Sequence, residues 1–382
     1  VTRIIATDTD CFLINNSYVS ISNLGIYTNQ TGLYNGIKFT GNISFCHVFD
    51  ILLRGVDPAV NYWNYNIWSQ DLWYSLFEKI DIIGGLTNTH QRGYGFYIEY
   101  SVNNKIINCN LLALNYCIYG ANTTRPADGV VNEGWAILDN IIMTSNYGVY
   151  LNAGTWFDIS NNIIDLILLQ PIYFAIASTG SIQSNWIVSN NIDGDAIKIQ
   201  SGDRIIIKGN FIATSDTATS CVNLYSDYNI VEGNTFKTLG IVNSGNYSSI
   251  TSNTFTTFSG SYAIYNTGEN NKIYQNSIPD STKLLYNSKT STKTENDVYT
   301  TTEIFTMSGT ASQTIDVTIP DGQFSSKPRI GFLLGNDANF KVVGAYLFDD
   351  TNTTNTNARF SITALTGTLP TGGIRFSIYL SK

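Results

Sequence analysis

The chain has 382 residues, 43% hydrophobic and 13% charged, which is ample for a large core and excludes a disordered polymer. Lys and Arg number 21 against 29 Asp and Glu, a net charge of −8, so nucleic acid and anionic membrane are poor partners. No apolar run approaches the ~20 residues that span a bilayer. Val1-Thr2-Arg3 lacks the charged and apolar regions of a signal peptide, and without an initiating Met the chain is expected to be a fragment.

From Thr2 to Asn287, residues 1–290 as a domain, the sequence reads as an all-β right-handed parallel β-helix, a solenoid of about eleven coils at ~20–30-residue spacing. An aliphatic residue leads an Asn by three places at Ile107 to Asn110, Ile137 to Asn140, Ile159 to Asn162, Val188 to Asn191, Ile207 to Asn210, Val231 to Asn234, Ile250 to Asn253 and Ile273 to Asn276, and the frame extends more loosely upstream through Ile80, Ile51 and Ile21. Asn suits a corner because it tolerates left-handed angles and bonds locally, and stacked Asn extends that bonding from coil to coil. A second short strand lies between the marks at Gly36–Phe39, Gly148–Leu151, Ala196–Ile199 and Cys221–Leu224, with half-buried alternation. A helical solenoid is disfavoured, because the runs are short, β-branched and interrupted by Gly and Asn. The excess length of the early coils falls in stretches read as loops, Val56 to Ser75, Gly85 to Gly95, Ala121 to Gly134 and Thr179 to Asn185, where function is expected. Cys11, Cys46, Cys109, Cys117 and Cys221 are scattered without a CxxC spacing and read as small apolar fillers.

Residues 291–300 read as a linker. Beyond it, Thr301 to Phe305, Gln313 to Ile319, Arg329 to Leu334, Lys341 to Phe348, Ala358 to Ile362 and Ile374 to Leu380 read as the strands of a small antiparallel β-sandwich, residues 301–382.

A start inside a repeat, Asn-cornered coils, aromatic-rich loops and a small all-β tail together resemble the tailspike proteins of tailed bacteriophages, in architecture rather than in any short motif. The resemblance implies a pectate-lyase-like β-helix that binds and cuts capsular or O-antigen polysaccharide. It implies a homotrimer assisted by the terminal domain, and attachment to the phage tail or baseplate through a missing N-terminal domain. The location implied is the virion tail, acting at the bacterial surface. Catalytic residues do not transfer, because tailspikes place them differently from one another.

Alternation in the second strand turns Ile or Val inward and points Tyr97, Tyr119, Tyr150 and Tyr173 outward, followed by Lys198 and Asn223. A stacked tyrosine column suits sugar, and it also suits stability alone. Paired carboxylates are the expected cutters of a glycosidic bond. The candidates beside the tyrosines are Glu99, Glu133 and Asp158, each of which also reads as a solvated surface charge. Asp158 is expected in an outward column with Ile106, Ala136, Ile187, Ile206 and Ile230, an apolar setting that raises a carboxylate pKa and a stripe that neighbouring chains would bury. Trp156, Arg125, Asp128, His90 and Arg92 are candidate substrate contacts or ordinary loop residues. Trp63, Trp68 and Trp73, with Tyr62, Tyr65 and Tyr74, make the Val56 to Ser75 stretch either a subunit interface or a sugar platform. Asp193-Gly194-Asp195 resembles a calcium-binding fragment but lacks the ligands of an oxygen cage, so neither a metal nor any other cofactor is expected. The alternatives to a hydrolase are a polysaccharide lyase, using Tyr, His or Lys as base and Arg to steady the charge, and a non-catalytic glycan-binding adhesin. With only His47 and His90 available, hydrolysis is the favoured reading.

Overall fold

The computed structural model describes residues 2–86, 91–124, 129, 131–190, 194–278 and 285–288, and the backbone of strands 293–295, 299–308, 312–318, 329–335, 346–348, 357–363 and 371–381. The chain winds into a parallel β-solenoid with no helix among the described residues. One side is a twelve-stranded parallel sheet running from Phe12–Ile14 to Leu285–Asn287, with one strand per coil. The other is a 21-stranded sheet folded along its length, to which most coils contribute two strands flanking a corner. Short β-branched runs favour this arrangement because each coil pairs its whole backbone with the coils above and below.

The core is a stack of aliphatic columns. Ile67, Phe96, Ile118, Val149, Ile172, Ile197 and Val222 lie in register down the twelve-stranded sheet and are fully buried. Each contributes roughly 1.5–3 kcal/mol of burial. Cys46, Cys109, Cys117 and Cys221 fill the same interior as free thiols. Burial pushes the last three up to about 12.

The corner of the folded sheet carries an asparagine ladder. The Oδ1 atoms of Asn162, Asn185, Asn210, Asn234 and Asn253 each accept the backbone N–H and the Nδ2–H of the ladder Asn one coil before, at 2.8–3.0 Å. Asn276 closes the run and Asn140 opens it, accepting the N–H of Cys109. The left-handed residue is the one before each ladder position: Asn108, Asp139, Asn161, Ser184, Gly209, Gly233, Ser252 and Gln275 have φ between 54° and 64°. The ladder asparagines themselves are not left-handed, so their role is hydrogen bonding alone. Two positions expected in this column fall elsewhere. Asn110 projects outward to Asp81, leaving Cys109 on the ladder, and Asn185 takes the place expected for Asn191, which lies outside the described residues. Upstream, Leu24, Ile51 and Ile80 hold the ladder position, and the strands Ser20–Thr28, His47–Gly55 and Leu76–Ile83 run unbroken through the bend.

A second left-handed corner follows the twelve-stranded sheet. Tyr18, Phe45, Tyr74, Asn103, Gly134, Trp156, Thr179, Arg204, Tyr228 and Tyr247 occupy it on successive coils. Bulky aromatics in this conformation cost about 1–2 kcal/mol each. Stacking of Phe45 on Tyr18 and on Tyr74, at 5.3 and 5.5 Å, offsets part of that.

Two stretches read as loops are strands. Tyr65–Gln70 and Leu72–Trp73 are regular parts of a coil, and Ala177–Gln183 belongs to the folded sheet, because their hydrogen-bonding registers continue those of neighbouring coils. Gly85–Leu86 and Gln91–Arg92 form a small antiparallel pair. Lys293–Glu295, in the segment read as linker, adds a last parallel strand against Lys272–Tyr274. Beyond it the described strands form two three-stranded antiparallel sheets, Tyr299–Ser308 with Thr371–Ser381 and Arg329–Gly335, and Ser312–Thr318 with Asn357–Thr363 and Tyr346–Phe348.

Candidate functional site

The outer face of the twelve-stranded sheet carries aromatic rings at two positions of several coils. Strands Tyr65–Gln70, Tyr94–Glu99, Tyr116–Gly120 and Tyr147–Leu151 each open with a half-buried tyrosine, continue with two buried residues, and then present a second aromatic. Strict alternation would turn residues three apart to opposite faces. Here the backbone at the second residue is tucked against the next coil, so that a Cβ on Gly95 would stand 2.3 Å from the Cys117 carbonyl oxygen and one on Gly148 2.4 Å from that of Pro171. Both aromatics therefore emerge on the outside.

The expected column is in register: Tyr97, Tyr119, Tyr150 and Tyr173, then Lys198 and Asn223, preceded by Lys38 and Trp68. Beside it runs a second column that the alternation rule misses, Tyr65, Tyr94, Tyr116 and Tyr147, followed by Gln170. The signal was available as the repeated Tyr-x-x-Tyr of residues 94–97, 116–119 and 147–150. Rings stack along each column, with Tyr97–Tyr119 at 5.3 Å and Tyr116–Tyr147 at 4.4 Å, and meet edge to face between columns, as in Tyr116–Tyr119 at 5.0 Å. The flat faces are thus occupied by neighbouring tyrosines. What the strip offers outward is ring edges and phenol hydroxyls, not the open ring faces expected for stacking on sugar.

Desolvation within this lattice pushes the phenols up. Tyr94 and Tyr150 reach about 12, with weaker contributions from neighbouring tyrosines, and Tyr97, Tyr116 and Tyr119 move in the same direction. These five phenols are neutral at ordinary pH.

Glu99 closes the Tyr94–Glu99 strand at the edge of the strip. Its Oε2 accepts Trp68 Nε1–H at 3.1 Å and Gln70 Nε2–H at 3.0 Å. On the coil before, Asp71 sits in a left-handed turn just past Tyr65–Gln70, its N–H donating to the Glu99 carbonyl at 3.2 Å and its Oδ1 accepting Trp73 Nε1–H at 2.9 Å. Burial raises the Tyr100 phenol, and the Glu99 and Asp71 charges add smaller contributions in the same direction. Asp71 was passed over because it lies in the stretch read as loop.

The other predicted acids stand elsewhere. Glu133 is one coil on from Glu99 and round the corner, bridged to Val102 and Thr155. Asp158 lies on the folded sheet, and its expected apolar column is met only at Ala136, Ile206 and Ile230. Its column holds Lys105, Ala136, Ser181, Ile206 and Ile230, whereas Ile106 and Ile187 point into the core. Asp158 Oδ1 accepts the hydroxyls of Ser160 and, at 2.8 Å, Ser181. The exposed apolar stripe is instead the next column, Ile141, Ile163 and Trp186, continued by the half-buried Phe211, whose ring stacks on that of Trp186 at 4.2 Å. Trp156 projects from the aromatic corner with 61% of its surface exposed. Trp63 is core, at 1% exposure, while Tyr62 is a partner of Arg92, so the Val56 to Ser75 aromatics divide between interior, strip and corner. His90, Arg125, Asp128 and Asp193 lie outside the described residues. A separate open cleft of about 680 Å³, where the early strands bend, is lined by Tyr27, Asp50, Lys79, Asp81 and Asn110 and holds none of the predicted site residues.

No family model and no curated protein matches the sequence. Solved structures do match the fold. The Dettilon tailspike protein gp208 is 14% identical with a TM-score of 0.50, covering 98% of this chain and 87% of its own. The Pseudomonas phage phi297 tailspike gp61 is 10% identical at 0.53, covering 95% and 66%. The tailspike of E. coli bacteriophage HK620, as a glutamate-to-glutamine variant in complex with a hexasaccharide, is 10% identical at 0.52, covering 94% and 75%. The chain therefore has a tailspike-like parallel β-helix fold.

Proposed function

We propose that this chain is the glycan-recognising body of a bacteriophage tailspike, which binds a bacterial surface polysaccharide, capsule or O-antigen, and hydrolyses it with paired carboxylates. The observation that carries the reading is the strip of hydroxyl-bearing rings bordered by Glu99 and Asp71. Phenols repeated at the ~4.8 Å coil spacing present a regular row of donors and acceptors along the solenoid axis to a chain of sugar hydroxyls. In the reaction one carboxyl group gives its proton to the glycosidic oxygen as the bond breaks. The other either takes a proton from a water whose hydroxyl ends on the anomeric carbon, the two carboxyls then exchanging protons with solvent to restore the acid, or attacks that carbon itself, and water then displaces it and gives its proton back to the acid. Glu99 with Asp71 is the pair proposed. Glu133 and Asp158, the other candidates, would serve only a groove that extends round the corner or is shared with a neighbouring chain.

A lyase would need a base. Tyr94 and Tyr150 are shifted away from that role: at a pKa of about 12, only about one phenol in 10⁵ is ionised at pH 7. Trimerisation through the stripe of exposed Ile141, Ile163 and Trp186 with half-buried Phe211, assisted by the C-terminal strands packed as a sandwich, is part of the proposal, as is attachment to the virion tail by an N-terminal domain. The HK620 complex, in which a tailspike of the same fold holds a hexasaccharide, supports glycan binding by analogy of fold.

The test is product chemistry on purified capsular polysaccharides. New reducing ends without near-ultraviolet absorbance are expected from the wild type. Glu99→Gln and Asp71→Asn should each slow their release by about 10²–10⁴-fold while leaving glycan binding in place. Absorbing, unsaturated ends would replace the hydrolase with a lyase, and binding without shortening would leave an adhesin.

A further inference from the structure

Past Tyr173 the strip changes character. The Tyr94 column continues Gln170, Asp195, Ser220 and the Tyr97 column Lys198, Asn223. Asp195 is only 4% exposed although it stands on the outward side of its strand; its Oδ1 accepts Ser220 Oγ–H at 2.7 Å and its Oδ2 accepts Asn223 Nδ2–H at 3.0 Å. That carboxylate fixes the Asn223 amide, because a flip would set oxygen against oxygen. Asn223 Oδ1 is then left buried without a donor, in a side chain 3% exposed, and a buried orphan acceptor is a standing penalty in the unliganded protein. Beside it stand Lys198, its register neighbour on the coil before, and the 46%-exposed Tyr225, whose hydroxyl is 3.5 Å from Asn223 Nδ2. The Lys198 ammonium approaches the Tyr225 ring at 5.7 Å and has no carboxylate within ion-pair distance among the described residues. At the opposite end of the same column, Lys38 is already committed to the face of Trp68 at 3.9 Å.

We infer that Lys198 and Asn223, seated on Asp195, form a subsite for an acidic sugar at this end of the strip. The sugar's carboxylate meets the Lys198 ammonium, and a neighbouring hydroxyl donates to Asn223 Oδ1 as Lys198 and Tyr225 swing aside. The inference rests on the strip being the glycan-binding face and names the class of glycan it selects: one carrying a uronic acid or another carboxylated sugar. Asp195 holds the amide oxygen outward and does not touch the ligand.

The experiment measures binding of the full chain to a set of capsular polysaccharides, some neutral, some uronate-containing, and one bearing phosphodiesters but no carboxylate. Each uronate polymer is also tested after reduction of its carboxyl groups to alcohols. The expected result is that the wild type prefers the native uronate polymer to its reduced form by about 10- to 100-fold, the factor of one charge-assisted hydrogen bond. Lys198→Met should abolish that preference, so that the native and reduced polymers bind alike. Equal binding of native and reduced polymers, binding of neutral polymers alone, or a Lys198-dependent preference for the phosphodiester polymer would each overturn the inference. Tyr119→Ala separates the two readings. If it leaves all glycan binding intact, the strip itself is wrong; if it weakens native and reduced polymers alike while Lys198→Met does not discriminate, only the acidic subsite fails.

Discussion

At Asn185 four hydrogen bonds meet in a buried place: its Oδ1 accepts from the N–H and Nδ2–H of Asn162, and its Nδ2 donates to the Ile159 carbonyl and Asn210 Oδ1. Truncation leaves those partners unsatisfied in the core. Asn185→Ala is therefore expected to destabilise the solenoid by about 3 kcal/mol, read as a lowered denaturant midpoint. A loss below about 0.5 kcal/mol would show that water replaces the ladder. The asparagine column was legible from its spacing, but the phase at Asn110 and Asn191 was not, because a three-residue interval marks a corner without saying which of its residues turns left-handed. Asp71 was illegible for a related reason: nothing local distinguishes a left-handed turn between two strands from a loop. On the strip, Tyr119→Phe removes one hydroxyl, which also accepts from Asn152, and keeps the ring in its stack. A neutral hydrogen bond is worth about 0.5–1.5 kcal/mol, so glycan affinity should fall by roughly 2- to 12-fold with little change in stability.

The twelve-stranded sheet shows how an element acquires chemistry that its residues lack singly. Alternation alone predicted the Tyr97 column because one inward Ile or Val fixes the phase of a strand. It missed the Tyr94 column because the small residues between the two tyrosines let the backbone turn before the pleat begins. Packed as a lattice, the phenols are desolvated together, and this links the strip to pH. Folding holds Tyr94 and Tyr150 neutral up to about 12, whereas exposed tyrosine ionises near 10.0, so above that value the unfolded chain loses protons that the folded one keeps. The stabilisation is complete below about pH 10 and is lost as pH rises from about 10 to about 12. Thermal melts across that interval should show a falling midpoint that flattens when Tyr94, Tyr116 and Tyr150 are replaced by Phe. An unchanged profile in the triple variant would mean that other groups set alkaline stability.

The whole molecule divides its surface by chemistry. The twelve-stranded sheet presents hydroxyls, the folded sheet presents the Ile141, Ile163, Trp186 and Phe211 stripe, and a soluble chain avoids leaving such a stripe to water. Sedimentation is expected to give three chains per particle, and Trp186→Ser with Phe211→Ser to shift it toward single chains. A monomeric wild type would remove the stripe from the account. The solenoid was readable because its period repeats many times over, whereas the division into faces was not, since one misplaced phase moves a whole column from surface to core, as happened with Ile106 and Ile187. The measurement that tests the central claim most directly is the rate at which a susceptible capsular polysaccharide shortens, followed by size exclusion, for the wild type and for Tyr116→Ser with Tyr119→Ser. The account predicts that the double variant, folded by circular dichroism, shortens the polymer at least tenfold more slowly at low substrate concentration, two neutral hydrogen bonds and their stacking being lost. Shortening at the wild-type rate would place glycan recognition on another face and contradict the assignment.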